Sequence, residues 1–244
     1  MPRISVIIPT LNEAPTLTQT LTHIPNTPNI EIIIADGGST DRTLTIATQL
    51  HPNAIVLTTA PGRAHQMNQA AAIAQGHLLV FLHADTHLPP DWLTHIETTL
   101  AQPGTIAGAF HLKINSPKFS RRLIEWGSNR RSRHCQLPYG DQAIFLKRET
   151  FEAIGGFPDL PIMEDFQLIK TLQKRGKITL APAAVTTDDR RWATVGIWQT
   201  TLLNQLMILG FYLGINPDRL RQWYRQAAHR RISPPSQSSA DRLN

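Results

Sequence analysis

An α/β fold built on a mostly parallel, nucleotide-binding sheet is predicted by three observations. Ile4-Ser5-Val6-Ile7-Ile8 and Ile30-Glu31-Ile32-Ile33-Ile34-Ala35 are short β-branched runs that stop at polar, turn-forming clusters. Such runs read as buried parallel strands. Segments with helical spacing lie between and after them, giving the alternation of a doubly wound domain. Both runs end in ligand-competent residues, Pro9-Thr10-Leu11-Asn12-Glu13 and Asp36-Gly37-Gly38-Ser39-Thr40-Asp41. Ligands of open α/β sheets bind at the carboxyl ends of the strands, so these two loops describe a pocket for something polar.

The elements follow in order. Glu13 to Ile24 places Leu17, Leu21 and Ile24 on one helical face, and Pro25 and Pro28 end it. Asp41 to Leu50 repeats the plan with Leu44, Ile46, Ala47 and Leu50, and Ala54 to Thr58 forms a third strand. Gly62 to Gln75 is Ala-rich and helical with Gly76 as its cap, and Leu78 to Leu82 is a fourth strand ending at His83-Ala84-Asp85. Beyond it, Ile106 to Ile114 reads as a strand pointing away from that core, and Pro117 to Arg133 as an Arg-rich helix or loop. Ala143 to Leu146 is a strand, and Phe151 to Ile154 a short helix stopped by Gly155-Gly156. Asp165 to Gln173 is a helix with Phe166, Leu168, Ile169 and Leu172 apolar.

Composition narrows the classes. A chain of 244 residues with 41% hydrophobic residues can bury the core of one large α/β domain with a modest extension. The single Cys135 excludes an intrachain disulfide framework and a cysteine-built zinc site. Pro9 and Asn12-Glu13 interrupt the first apolar run too early for a secretory signal, so the expected location is cytoplasmic, with peripheral contact at the inner membrane face left open. The net charge of +6 comes from clustered arginines, at Arg121-Arg122, Arg130 to Arg133, Arg190-Arg191 and Arg219 to Arg231. No aromatic-interleaved single-strand motif accompanies them, which disfavours nucleic acid and leaves a diphosphate ligand or an anionic membrane. Val195 to Ile215 is apolar enough to approach a spanning length, but Gln199, Thr200, Thr201, Asn204 and Gln205 favour helices packed on the domain or lying in an interface. The expected organisation is a domain over residues 1–192, a basic helical segment over 193–231 and a Ser/Pro-rich disordered tail over 232–244.

Three clusters supply chemistry. Asp85 is either a turn cap or a ligand for a hard divalent cation on phosphate oxygens. Glu164-Asp165 opens a helix, where exposed N–H groups keep a carboxylate ionised. Such a carboxylate either stabilises the helix or takes a proton from an attacking hydroxyl. Arg190-Arg191-Trp192 offers bidentate phosphate recognition and a flat face for a sugar or base, or is an ordinary surface cluster.

Taken jointly and in this order, Pro9 to Glu13, Asp36 to Asp41, Asp85, Glu164-Asp165 and Arg191-Trp192 resemble the family-2 glycosyltransferases of GT-A fold over residues 4 to 192. Gly62-Arg63-Ala64-His65-Gln66-Met67-Asn68, His83-Ala84-Asp85, Gly140 to Phe145, Gly155-Gly156-Phe157-Pro158 and Arg190-Arg191-Trp192 resemble the subgroup assigned to arsenosugar biosynthesis, also called radical-SAM/selenodomain-associated transferases.

The resemblance implies an inverting transferase that moves a sugar from a nucleotide-diphosphate donor, UDP-sugar favoured, to a hydroxyl acceptor with Mg2+ or Mn2+. Pro9, Thr10, Asn12 and Glu13 would line the nucleotide site, with Asp36 on the uracil or ribose beside Gly38 and Ser39. Arg63, Asn68, His83, Ala84, Arg190, Arg191 and Trp192 would complete the donor site, with Asp85 on the metal. Asp165 would be the base, Glu164 would shape the acceptor site, and Gly140, Asp141 and Gln142 would lie on the acceptor side. Two positions depart from the pattern: His83 replaces the first carboxylate of the usual Asp-x-Asp pair, and Asp188-Asp189 precede the arginines where small residues are expected. The competing classes are a sugar nucleotidyltransferase, whose Gly-rich basic loop is missing after the first strand, and a non-catalytic nucleotide-sugar-binding module, which would leave Asp165 without a purpose.

Overall fold

The structure is a computed structural model that describes residues 3–189 and 196–229. The chain divides into two compact units, the first ending at Asp188 and the second beginning at Asp189.

The first unit opens with β1 (Ile4–Thr10), α1 (Ala14–Thr22), β2 (Ile30–Asp36), α2 (Thr43–Leu50), β3 (Ile55–Thr58), α3 (Arg63–Ile73) and β4 (Leu78–Phe81). It continues with β5 (Thr86–His87), α4 (Trp92–Leu100), β6 (Thr105–Asn115), α5 (Phe119–Cys135), a 3-10 turn at Gly140–Gln142, β7 (Ile144–Lys147), α6 (Arg148–Ala153), α7 (Glu164–Gln173) and β8 (Lys177–Asp188). One eight-stranded sheet runs in the order β3-β2-β1-β4-β7-β6-β8-β5. The β3-β2-β1-β4 half is parallel, with Ile4 opposite Ile30 and Thr10 opposite Asp36. β7 is antiparallel to both β4 and β6.

Alternation along the strands sorts the core into two layers. Val6, Ile8, Ile32 and Ile34 face Leu17 and Leu21 of α1 on one side of the sheet. Ile7, Ile33, Leu79 and Phe81 face Met67, Ala70 and Ala71 of α3, and Leu168, Ile169 and Leu172 of α7, on the other. The helical spacings read from the sequence thus point at real cores.

Two expectations change, two elements are added and one open reading is decided. β6 does not point away from the core but lies inside the sheet between β7 and β8, with Ala107, Ala109 and Phe110 fully buried. The chain at 92–100 is helical and that at 177–188 is a long strand, and neither was expected. The Arg-rich segment is a helix from Phe119. Gly76 does not cap α3, whose last helical residue is Ile73. A Cβ at Gly76 would stand 2.5 Å from the Ser5 amide nitrogen, so glycine is required by the close approach of this turn to β1.

Among the described residues, the second unit is a pair of helices, α8 (Ile197–Tyr212) and α9 (Pro217–His229). Gly214, at φ +75°, makes the turn between them. Gly210 admits Leu220, whose Cδ2 would be 2.8 Å from a Cβ there. No helix among the described residues is long and apolar enough to cross a membrane. The tail expected over 232–244 lies outside the described residues.

Candidate functional site

The carboxyl ends of β1 and β2 are laced together side chain by side chain. Thr10 Oγ1 donates to Asp36 Oδ1 at 3.0 Å, and the Gly37 amide donates to Thr10 O at 2.9 Å. Asn12 takes the left-handed conformation, φ 57°. Its amide donates to Ser39 Oγ at 2.8 Å, and its Oδ1 accepts from the Thr40 amide at 2.9 Å. The Glu13 amide donates to Thr43 Oγ1 at 2.9 Å, and the Ala14 amide to Asp41 Oδ2 at 3.2 Å.

Asp36 is buried and accepts four hydrogen bonds, from Thr10 Oγ1, from Ser39 Oγ at 2.5 Å and from the Gly38 and Ser39 amides at 2.9 and 2.8 Å. Burial pushes its carboxyl up, but these donors, led by Ser39, together hold it below the ordinary 3.8. Gln66 completes the junction from α3. Its Nε2 donates to Thr10 O at 2.8 Å and to Ala35 O at 2.7 Å, so one buried amide fastens α3 to both strand ends.

Beside this junction lies a cleft of about 320 Å³, lined by Pro9, Thr10, Leu11, Glu13, Arg63, Gln66, His83, Ala84 and Asp85. Positions read as separate motifs therefore share one wall. Asn68 is not in this lining: its amide brackets Phe157, Nδ2 donating to Phe157 O at 2.8 Å and Oδ1 accepting from Phe157 N at 2.9 Å. Arg190, Arg191 and Trp192 lie outside the described residues.

Arg63, the first residue of α3, links the cleft to the catalytic candidates. Its Nε stands 3.0 Å from Glu164 Oε1, with the arginine side chain 48% exposed and the glutamate 3%. Its Nη1 lies 3.4 Å from His83 Nε2. Glu164 foremost, then Asp165, Asp141 and Asp85, favour the charged guanidinium, so its pKa rises despite the partial desolvation of this half-exposed group. Burial pushes the Glu164 carboxyl above its ordinary 4.5, and Arg63 pulls it back only in part.

Asp165 sits in the first turn of α7 behind Met163, itself at φ 69°. Its Oδ2 accepts from the Gly140 amide at 2.8 Å, and its Oδ1 from the Phe166 amide at 2.7 Å. A Cβ at Gly140 would be 3.0 Å from His83 Nε2 and 3.3 Å from Asp165 Oδ2, so the 3-10 turn, His83 and Asp165 converge. Gln142 is fully buried and holds that turn, donating to Phe110 O at 2.9 Å and accepting from Ser132 Oγ at 2.7 Å. It supports the site from behind.

Asp85 is partly exposed in the cleft wall, and its Oδ1 accepts from the Thr86 hydroxyl at 3.2 Å. No group of three metal-ligating side chains occurs among the described residues. A single protein carboxylate fits a Mg2+-type ion, which keeps waters and takes its remaining ligands from substrate phosphates.

The model of Glycosyl transferase family 2 matches residues 5–157, more than half of the chain. The chain belongs to that family. Among curated relatives of this family-2 glycosyltransferase, the PGL/p-HBAD biosynthesis glycosyltransferases of Mycobacterium bovis (strain BCG / Pasteur 1173P2) and Mycobacterium tuberculosis (strain ATCC 25177 / H37Ra) are each 40% identical over 94 residues. That alignment covers 36% of this chain and 37% of each relative, so the chain spans little more than a third of their length.

Solved structures agree on the fold, which is of GT-A type. The mannosyltransferase PcManGT from Pyrobaculum calidifontis, in complex with GDP-Man and Mn2+, superposes with a TM-score of 0.65 at 24% identity. The match covers 84% of this chain and 62% of that one. Glucosyl-3-phosphoglycerate synthase from Mycobacterium tuberculosis, with Mn2+, UDP and glucosyl-3-phosphoglycerate, gives 0.55 at 21% identity over 77% of this chain and 70% of that one.

Proposed function

We propose that this protein is a glycosyltransferase that moves a sugar from a nucleotide-diphosphate donor to a hydroxyl acceptor with inversion at the anomeric carbon. The observation that carries the reading is the placement of Arg63. It lines the cleft at the strand ends and pairs with Glu164, the residue before Asp165. A site for a charged leaving group and a carboxylate able to accept a proton are thereby joined through one side chain.

In the proposed step, the acceptor hydroxyl gives its proton to Asp165 as its oxygen forms a bond to the anomeric carbon. The bond from that carbon to the diphosphate breaks, and the nucleoside diphosphate leaves with the electron pair. Arg63 stabilises the charge that grows on the departing diphosphate. The two backbone amides on Asp165 fix the direction of its carboxylate, and the Asp36 and Gln66 networks fix the loops that receive the nucleotide. Asp85 would hold the Mg2+ or Mn2+ ion, which when bound supplies positive charge to the diphosphate. PcManGT was solved with GDP-Man, whereas the glucosyl-3-phosphoglycerate synthase was solved with UDP, so the test donors include both bases. The Gly62 to Asn68, Gly140 to Phe145 and Arg190 to Trp192 motifs support a place in arsenosugar biosynthesis, an assignment of pathway rather than of acceptor.

The test incubates the chain with UDP- and GDP-sugars and Mg2+ or Mn2+ and measures nucleoside diphosphate release and product configuration. Asp165→Asn is expected to lower turnover by at least about 100-fold while donor binding persists. Wild-type turnover in that variant removes Asp165 as the base. Donor binding with no hydrolysis or transfer makes the protein a binding module, and retention of configuration refutes the inverting step.

A further inference from the structure

The arginines of α5 separate into two sets. Arg121 is buried. Arg131 is used internally, its Nε donating to Leu137 O at 2.9 Å and its guanidinium lying 3.5 Å from the Tyr139 ring centroid. The other face of the helix carries Phe119, Arg122, Leu123, Trp126, Arg130 and Arg133, all exposed. At 3.6 residues per turn these six fall within an arc of about 100°. Phe119 is 78% exposed, Leu123 51% and Trp126 64%, an apolar stripe with no covering layer among the described residues.

The charge on that face has one sign. The only acid of α5, Glu125, turns inward, where its Oε1 accepts from the Ile114 amide at 2.7 Å and from Arg122 at 2.8 Å. Arg130 lies 5.5 Å from the centroid of the Trp126 ring, keeping a cation at the margin of the apolar stripe. Aromatic and leucine side chains flanked by arginines on one helical face suit the boundary between acyl chains and anionic headgroups.

We propose that α5 is an interfacial helix that docks this protein on an anionic lipid surface, Phe119, Leu123 and Trp126 entering the boundary region while Arg130 and Arg133 meet lipid phosphates. The face is separate from the cleft lining, so the proposal stands or falls independently of glycosyl transfer.

The test is co-sedimentation of the full chain with phosphatidylcholine vesicles, with and without phosphatidylglycerol. Binding is expected to be at least about ten-fold tighter to the anionic vesicles. It should fall about five-fold for each arginine removed in Arg130→Ser and Arg133→Ser, with the loss shrinking at high salt. The triple variant Phe119→Ser, Leu123→Ser, Trp126→Ser should bind at least about ten-fold more weakly with an unchanged far-UV circular dichroism spectrum.

Equal affinity for neutral vesicles overturns the charge argument. Binding unchanged in both variants overturns the assignment to α5, as does binding lost only when the exposed Leu202, Leu206 and Leu209 of α8 are changed to serine. Concentration-dependent dimerisation that the triple variant abolishes, without vesicle binding by the wild type, assigns the face to a second copy instead.

Discussion

Replacing Arg63 by methionine keeps much of the side-chain volume and removes the cation facing Glu164. That carboxylate is 3% exposed and stands 3.0 Å from the guanidinium. Removing one partner of a fully buried pair costs about 3–5 kcal/mol. Arg63 itself is 48% exposed, so water screens part of the interaction. A cost of about 2 kcal/mol at neutral pH is therefore expected.

The cost carries a pH signature. The folded-state pKa of Glu164 is already above its ordinary 4.5 and rises further without Arg63. A raised pKa means that the folded protein holds the proton more tightly than the unfolded chain. The variant is then nearly as stable as wild type below 4.5, and its deficit opens as pH rises through the raised folded value. Urea unfolding across that range measures the deficit, and Glu164→Gln in the same chain should close it. An equal deficit at every pH, or no recovery in the double variant, refutes the reasoning.

Other perturbations follow from the same geometry. Gln66→Leu strips two buried carbonyls of a donor and should cost about 2 kcal/mol in urea unfolding while weakening donor binding measured by calorimetry. Gly140→Ala pushes a methyl group toward His83 and Asp165. Turnover should fall at least about ten-fold with little change in Tm, because the His83 side chain can give way. Asp36 has a lowered pKa, so it stabilises the fold above 3.8 and loses that contribution as pH falls through its folded value. Ser39→Ala, which removes its shortest donor, should cost about 1 kcal/mol at neutral pH and leave a smaller loss on acidification.

The parallel half of the sheet was legible because Ile4 to Ile8 and Ile30 to Ala35 state burial, length and termination in a few residues each. The helices were legible where one face is apolar, as with Leu17 and Leu21 or Leu168, Ile169 and Leu172. β8 was not, because Ala181-Pro182-Ala183-Ala184 shows neither alternation nor β-branching. Its strand conformation comes from pairing with β6, a tertiary fact. At the site, residue types at Asp36, Arg63, Asp85 and Asp165 were readable, but their partners were not. Gln66 stood inside a quoted motif without a role of its own, and only the fold shows that its amide reaches two strand ends at once. Asn68 was read from the same motif as a donor contact, and its amide is spent on Phe157.

The way β6 and β8 meet bears on how the protein folds. β1 pairs with β2 from Ile4 to Ile30 and β2 with β3 from Ile33 to Ile55, modest loops, but β1 joins β4 only by pairing Ile4 with Leu78. β6 and β8 pair in parallel, Thr105 with Lys177 through Asn115 with Asp188, and everything between those strands must be enclosed before the pairing is rewarded. Loop-closure entropy therefore falls on the β1–β4 seam and the β6–β8 seam alike, and only the pairings among β1, β2 and β3 are nearly local. Only β1 to β3 can pair by local closure, and the rest of the sheet waits on contacts between distant parts of the chain.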